Sequence, residues 1–88
     1  MGSYSIQWKN TAIKELKKLP GKTINNILSI ISSLSENPLP SGCIKISGAE
    51  QTYRIRTGDY RIVYTVLHGQ LVIEIIRIGH RKDVYRKL

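Results

Sequence analysis

Three successive segments in the second half of the chain have the period-two pattern of β-strands, and this constrains the fold more than any other feature. Residues 53–57 alternate so that Arg54 and Arg56 would lie on one face of a strand, opposite the apolar side chain between them. Gly58-Asp59 is a turn signal, and residues 60–66 are mostly β-branched and aromatic. The pattern predicts an antiparallel meander that carries arginines on one face.

The second and third strands of this meander have different patterns. In residues 60–66, one face would carry Arg61 and the other would carry Tyr60, Ile62, Tyr64 and Val66. His68-Gly69 then predicts a two-residue hairpin, because glycine tolerates the positive φ of such turns. Residues 71–78 are apolar on both faces apart from two charged residues, which is typical of a central strand. We expect Gly79 to end this strand.

The N-terminal part predicts one strand and two helices. Residues 4–8 alternate in the manner of a strand, and Asn10 or Thr11 can cap a first helix that stops at Pro20-Gly21. A second helix is expected over residues 22–35, because apolar residues recur there at spacings of three and four. The residues predicted to be buried on this helix are Ile24, Ile27, Leu28, Ile31 and Leu34.

A loop over residues 37–42 and a brief strand over residues 43–46 connect the helices to the meander. The order of elements predicts an α+β fold with an N-terminal strand and a two-helix antiparallel hairpin, followed by a mainly antiparallel sheet of three or four strands and a short basic C-terminal tail. Residues 1–88 suit one compact domain with a modest core.

The charge of the chain points to a polyanionic partner. The net charge of +8 suits a partner that is nucleic acid, an anionic membrane surface or an acidic protein segment. Binding to a membrane surface is disfavoured, because the sequence has no long basic amphipathic helix. A single cysteine, Cys43, excludes an internal disulfide, and no set of His, Cys and carboxylates has metal-ligand spacing. We expect no cofactor, no metal and no membrane partner. Without a signal peptide or a spanning segment, a cytoplasmic location is expected.

The succession of a helical hairpin, the segment Gly58–Tyr64 and the segment Gly79–Arg81, with Tyr85 following, resembles the RelE/ParE superfamily of toxins from toxin–antitoxin pairs. The resemblance covers nearly the whole chain. It implies a RelE-like fold and, on the RelE-like branch, a ribosome-dependent endoribonuclease that cuts messenger RNA in the decoding site without metal. It also implies a cognate antitoxin that wraps and blocks the toxin, which we expect to be acidic.

The same resemblance assigns roles to individual residues. RelE-like toxins carry a pair of basic strand residues, often lysines, where this chain has Arg54 and Arg56. The catalytic residues that the resemblance implies are Arg54, Arg56, Arg61, Arg81 and Tyr85. The residues expected to bind RNA are Arg54, Arg56, His80, Lys82 and Arg86.

The chemistry of metal-free RNA cleavage fits these residue types. The reaction needs a base for the 2′-OH, cations for the charge on the phosphorus oxygens, and a proton donor for the departing 5′-oxygen. Arginine matches phosphate geometry but is a poor base, because its pKa exceeds 12. The base is therefore Tyr85 or His80, and Tyr85 could instead stack on an RNA base. Tyr85 is preferred to His80, because neighbouring residues that leave a strand tend to point apart.

Other interpretations stay open at this level. Arg77 could pair with Glu74 rather than act on a substrate. The chain could be a ParE-like toxin that poisons DNA gyrase, or an inactive domain that only binds nucleic acid or antitoxin as a corepressor. We also hypothesise that the toxin–antitoxin complex binds operator DNA through the antitoxin, because this chain has no helix-turn-helix pattern of its own.

Overall fold

A computed structural model describes residues 3–80 and confirms the α+β fold, with two helices and one five-stranded sheet. The strand bounds differ from expectation mainly at the short strand that precedes the meander, which has two residues instead of four. The strands are β1 (Ser5–Trp8), β2 (Ile44–Lys45), β3 (Thr52–Thr57), β4 (Tyr60–Leu67) and β5 (Val72–His80). The helices are α1 (Asn10–Lys17) and α2 (Gly21–Leu34).

The strand order in the sheet is β1-β5-β4-β3-β2. The pairs formed by β2 to β5 are antiparallel, whereas β1 pairs with β5 in parallel, from Ser5 opposite Val72 to Trp8 opposite Ile75. A parallel pair needs a long connection, and here the two helices and three further strands lie between the paired strands in the sequence. The prediction of a mainly antiparallel sheet is confirmed, and β5 lies inside the sheet as expected.

Both helices pack on one face of the sheet. Buried side chains of α1 and α2 share one core cluster with alternate residues of β4 and β5, as the period of two requires. Tyr4, Ile6 and Trp8 pack against this cluster from β1 and the residue before it, as predicted. The fully or nearly buried members of the cluster are Ala12, Ile27, Ile31, Leu34, Ile62, Tyr64, Val66, Ile73, Ile75 and Ile78.

Helix α1 begins without a side-chain cap, so the predicted cap at Asn10 or Thr11 is wrong. The N-cap residue is Lys9, which has extended backbone angles and makes no capping side-chain hydrogen bond. Its backbone N–H donates to the carbonyl oxygen of Ile75 at 2.9 Å. The pairing of β1 with β5 therefore continues to the last residue before the helix, and the helix starts directly at Asn10.

Helix α2 buries a narrower stripe than predicted. Ile27, Ile31 and Leu34 are buried, but Leu28 is 41% exposed, so its predicted burial is wrong. Ile30 packs against the core instead. Successive helical residues differ by about 100° in direction, and Leu28 therefore lies on the solvent side of a stripe centred on the buried three.

The connection from β4 to β5 is longer than the two-residue hairpin that His68-Gly69 predicts. Residues His68–Gln70 form one turn of 3-10 helix, and Leu71, with a φ of 54°, takes the left-handed conformation expected of the glycine. The carbonyl oxygen of Leu71 accepts a hydrogen bond from the N–H of Ser5 at 2.8 Å. The Tyr4 hydroxyl lies 2.9 Å from Nδ1 of His68. Contacts with the N-terminal segment thus shape this turn.

The prediction that Gly79 ends the last strand is also wrong, because β5 continues through it to His80. Gly79 lies opposite Arg61 of β4, and the pairing reaches the end of that strand. A β-bulge interrupts the register between Val63 and Tyr64, and Ile76 is the extra residue on β5. Continued pairing carries the chain toward its basic tail alongside β4.

The predicted turn between β3 and β4 is confirmed. Gly58 and Asp59 form a two-residue loop between the paired residues Thr57 and Tyr60. Gly58 has a φ of +61°, as expected for the first central residue of a type II′ hairpin turn. No atom lies within 4 Å of the position that a Cβ would take at Gly58, so backbone conformation is the reason for glycine here.

Candidate nucleic-acid interface

Three predicted site residues lie on the face of the sheet opposite the helices. Residues that pair directly across antiparallel strands share a face, and Arg56 pairs with Arg61. Arg54 pairs with Val63, which is buried but lies outside the helix-side core cluster. We call the surface formed by Arg54, Arg56 and Arg61 the arginine face.

The three side chains differ in their access to solvent. Arg56 is exposed, Arg54 is half-buried and Arg61 is only 5% exposed. Directly opposite residues have Cβ atoms about 4.5–5.5 Å apart, so Arg56 and Arg61 are direct neighbours on this face. Guanidinium groups can bind phosphate oxygens bidentately, so the arginine face has the chemistry of a phosphate-binding surface.

A fourth arginine, Arg77, lies next to the β-bulge and is bound within the protein. It lies opposite Val63 and is 8% exposed. Its Nε donates to both carboxylate oxygens of Glu15 at 3.1 Å, and its Nη2 donates to one of them. The hydrogen bond to Glu15 raises the pKa of Arg77, whereas burial acts to lower it. Arg77 therefore holds α1 against β5.

The possible pairing of Arg77 with Glu74 is wrong. Glu74 lies 3.9 Å from Nζ of Lys9 in an exposed contact, whereas Arg77 reaches Glu15 on α1. The Glu15 carboxylate also accepts the N–H of Ile78 at 2.9 Å, beyond the last residue that pairs with β1. Glu15 thus accepts the N–H of Ile78, which a longer β1 would have paired with. This contact explains why α1, an otherwise basic helix, carries a carboxylate on the side that faces the sheet.

His80 lies apart from the arginine face. It pairs with Tyr60, whereas the neighbouring Gly79 pairs with Arg61, so the two positions alternate between the faces of β5. The rings of His80 and Tyr60 meet edge to face, with centroids 6.0 Å apart. The structure therefore does not bring His80 together with the three arginines. Its predicted part in RNA binding stays a prediction.

The remaining predicted site residues belong to the C-terminal tail. Arg81, Lys82, Tyr85 and Arg86 lie outside the described residues 3–80. Their roles in catalysis and RNA binding stay predictions. Of the catalytic set implied by the resemblance, the structure brings together the three arginines of β3 and β4.

The tyrosines of the meander are packing residues rather than a stacking platform. Tyr64 is fully buried, and its hydroxyl donates to the carbonyl oxygen of Pro38 at 2.8 Å. Burial raises the pKa of Tyr64 well above its usual range, and the nearby thiol of Cys43 adds to this effect. Tyr53 and Tyr60 pack at the edge of the core. Tyr64 therefore fastens the loop before β2 to the centre of the sheet.

Among residues 3–80, no three His, Cys, Asp or Glu side chains are close enough together to hold a metal ion. Within the same range, neither helix is long and apolar enough to cross a membrane.

Sequence reasoning missed two features of this region. The first is Glu15, whose signal was its position as the sole acidic residue of α1, three residues after the buried Ala12. The second is a shallow groove between residues 41–44 and β3, which shares Arg54 and Arg56 with the arginine face. Nothing in the local sequence marks this groove, because it depends on where β2 begins to pair with β3.

Comparison with known proteins identifies the family. Residues 6–85 match the sequence model of the family described as the ParE toxin of type II toxin–antitoxin systems, parDE. Toxin RelE3 of Methanocaldococcus jannaschii is 38% identical over 84 residues, covering 91% of this chain and 93% of that protein. The mRNA interferase toxin RelE of Escherichia coli K12 is 28% identical over 87 residues, covering 94% of this chain and 90% of that protein.

A solved structure supports the same assignment. The archaeal RelE–RelB complex from Pyrococcus horikoshii contains a chain that superposes with a TM-score of 0.81 at 29% identity, covering 92% of this chain and 98% of that chain. Fold, sequence model and relatives agree over nearly the full length. The chain belongs to the RelE/ParE superfamily of toxins from type II toxin–antitoxin systems.

Proposed function

We propose that this toxin is a ribosome-dependent endoribonuclease that cuts messenger RNA in the decoding site and so inhibits translation. The observation that carries the proposal is the arginine face, where Arg54, Arg56 and Arg61 share the side of the sheet opposite the helices. The relative named mRNA interferase toxin RelE supports the same activity. Because ribosomes are its site of action, the toxin would work in the cytoplasm.

The arginine face would supply the electrostatic part of the reaction. The exposed Arg56 and the half-buried Arg54 would bind the phosphates that flank the cut, and the buried Arg61 would stabilise charge on the scissile phosphate. A charge held away from water interacts more strongly with a phosphate than an exposed one. The 2′-oxygen attacks phosphorus, the bond to the 5′-oxygen breaks, and no metal is needed in this scheme.

Proton transfer would fall to the C-terminal tail. A guanidinium cannot take the proton of the 2′-OH, because its pKa exceeds 12. His80 aligns with Tyr60 on the other face from Arg61, which favours Tyr85 as the base. In the proposed scheme the positive charge of Arg81 favours the phenolate form of Tyr85, while Lys82, Arg86 and His80 contribute long-range attraction for the RNA.

A cognate antitoxin is the expected protein partner. The neighbour from Pyrococcus horikoshii is a complex of RelE with RelB. The net charge of +8 on this chain would attract an acidic antitoxin segment, and a disordered segment that folds on binding could cover much of so small a toxin. Operator DNA would be bound through the antitoxin in a higher-order complex.

The test is cleavage in a reconstituted translation reaction. Purified toxin is added to ribosomes programmed with a defined message, and the 5′ ends produced are mapped by primer extension. We expect discrete cuts that require ribosomes and that fade in the Arg81→Ala and Tyr85→Phe variants. An intact message, with wild-type toxin shown by circular dichroism to be folded, would contradict the proposal.

The second candidate is poisoning of DNA gyrase, because the matching family model describes the ParE toxin. A gyrase-directed toxin acts through protein contacts and does not need the arginine face. A supercoiling assay with purified gyrase separates the two candidates. We expect no inhibition by the wild type, whereas inhibition together with an intact message would favour this candidate.

A further inference from the structure

A shallow groove lies at the outer edge of the sheet, next to the arginine face. Strand β2 has only two residues, so it pairs with Arg54 and Tyr53 of β3 and leaves the rest of that edge uncovered by a strand of its own. The groove lies beside the first residue of β2, and we call it the β2 groove. Its lining residues are Ser41, Gly42, Ile44, Arg54, Ile55, Arg56 and Gly58.

One wall of the β2 groove is apolar and the other is cationic. Ile44 is 50% exposed, and it pairs with Arg54, which places it on the same face as the arginines. The other large hydrophobic residues of the described chain with comparable exposure are Leu28, Leu39 and Leu71, and none of them lines this groove. Ile44 is thus the exposed hydrophobic residue of this group that lies beside the proposed phosphate ligands.

The backbone leaves this groove open. Gly42 has a φ of +95°, and no atom lies within 4 Å of the position a Cβ would take there. A larger residue would be strained and would project a side chain beside the groove. Gly42 therefore adds no side chain to the lining of the groove next to Ile44.

These properties match one unpaired nucleotide. A nucleotide of single-stranded RNA presents a phosphate and, a few ångströms away, a base with an apolar face and polar edges. Guanidinium groups bind the phosphate, and the flat face of the base can rest on an aliphatic side chain. An acidic peptide would match the arginines too, but it would not explain an open, glycine-lined slot beside the exposed isoleucine.

We propose that the β2 groove holds the base of one messenger RNA nucleotide next to the cut, and that Ile44 influences which base is accepted there. This inference rests on the proposed function and adds a specificity-determining residue to it. Arg54 and Arg56 hold the backbone of that nucleotide, while Ile44 contacts its base. The preference among bases then comes from the shape of the groove rather than from charge.

The first test compares cutting patterns of Ile44→Ala, Ile44→Phe and the wild type on programmed ribosomes. Leu28→Ala is the matched control, because Leu28 is also an exposed aliphatic residue but lies on α2. We expect Ile44→Ala to raise KM about three- to ten-fold and to shift the distribution of cut sites. Ile44→Phe should change the base preference with a smaller change in KM, and Leu28→Ala should change neither.

The second test needs no ribosome. Binding of a short single-stranded oligonucleotide is measured beside the same oligonucleotide with one abasic nucleotide. We expect the base to matter less in Ile44→Ala than in the wild type, with the salt dependence unchanged, because no charge is removed. An Arg56→Ala variant should instead reduce the slope of affinity against salt.

The outcomes separate the two proposals. If the wild type cuts messages and Ile44→Ala keeps its KM and its cut sites, the groove inference is overturned and the proposed function stands. If the wild type does not cut, the proposed function fails, and the abasic comparison decides whether the groove binds a base. If Ile44→Ala weakens only antitoxin binding, the groove is a protein-docking site and the inference is overturned.

Discussion

The ion pair between Glu15 and Arg77 should be worth more to stability than any exposed charge pair of this protein. Replacing Glu15 by Gln keeps the shape of the side chain but removes the charge that faces a guanidinium with 10% side-chain exposure. It also weakens the acceptor for the N–H of Ile78. The change therefore leaves a mostly buried cation without its counter-charge.

The magnitude follows from burial and from the number of hydrogen bonds. Breaking a buried ion pair costs about 3–5 kcal/mol, but the cost is lower here because the Glu15 side chain is 21% exposed to solvent. We expect Glu15→Gln to reduce the free energy of unfolding by roughly 2–3 kcal/mol, or by about 10–20 °C in Tm for a domain of this size. Urea denaturation at neutral pH, with two-state analysis, measures this directly.

The matched control is the exposed pair of Lys9 and Glu74, which lie 3.9 Å apart. Glu74→Gln removes the same charge and should cost no more than about 1 kcal/mol. Replacing Arg77 by Met in the Glu15→Gln background should recover part of the loss, because the buried cation is removed as well. Equal losses for Glu15→Gln and Glu74→Gln would refute the reasoning.

Two further predictions concern the sheet. Because the pKa of Tyr64 is raised in the folded state, the unfolded chain loses the phenol proton first, so this contribution to stability is complete below pH 10 and falls as the pH rises beyond it. Tyr64→Phe should flatten that decline, and it should cost about 1 kcal/mol at pH 7 because the hydrogen bond to Pro38 is lost. An unchanged decline of the free energy of unfolding, measured by urea denaturation from pH 9 to 11.5, would contradict this prediction. Gly58→Ala should reduce the free energy of unfolding by about 1–2 kcal/mol, because Gly58 has a φ of +61°. Gly21→Ala is the control: it lies on α2 with open space around it and should be neutral or stabilising in the same urea assay. Equal effects of the two substitutions would be inconsistent with a conformational cause.

Local sequence patterns predicted the strands of the meander well. The alternation around Arg54 and Arg56, the turn at Gly58 and the separation of Arg61 from its apolar neighbours all appear in the structure. These features depend on the period of two and on one turn signal, and both can be read from a short segment of sequence without knowledge of distant contacts. The strand faces on which Arg54, Arg56 and Arg61 lie were therefore predictable from the sequence.

Features that depend on contacts between distant segments were not predictable in this way. Lys9 became the N-cap because β1 pairs with β5, and Leu71 took the left-handed conformation in a turn held by the N-terminal segment. Arg77 found its partner 62 residues away, at Glu15. The period of α2 predicted burial of Leu28, but Ile30 packs against the core instead, because the position of the sheet decides which side of the buried stripe is covered.

We propose that RNA cleavage depends on the arginine face, and a comparison of two double variants tests this dependence most directly. Arg54→Ala/Arg56→Ala removes two positive charges from this face, and Lys14→Ala/Lys17→Ala removes two from exposed positions of α1. Both change the net charge from +8 to +6, so general attraction to the ribosome falls equally.

The measurement is the rate of message cleavage on programmed ribosomes for both variants, after their folding has been checked by urea denaturation. We expect the rate to fall at least about 100-fold for the arginine pair, because the phosphates that flank the cut would no longer be held in position, and by only a few-fold for the lysine pair. Equal losses in the two variants, or full activity without Arg54 and Arg56, would contradict the account.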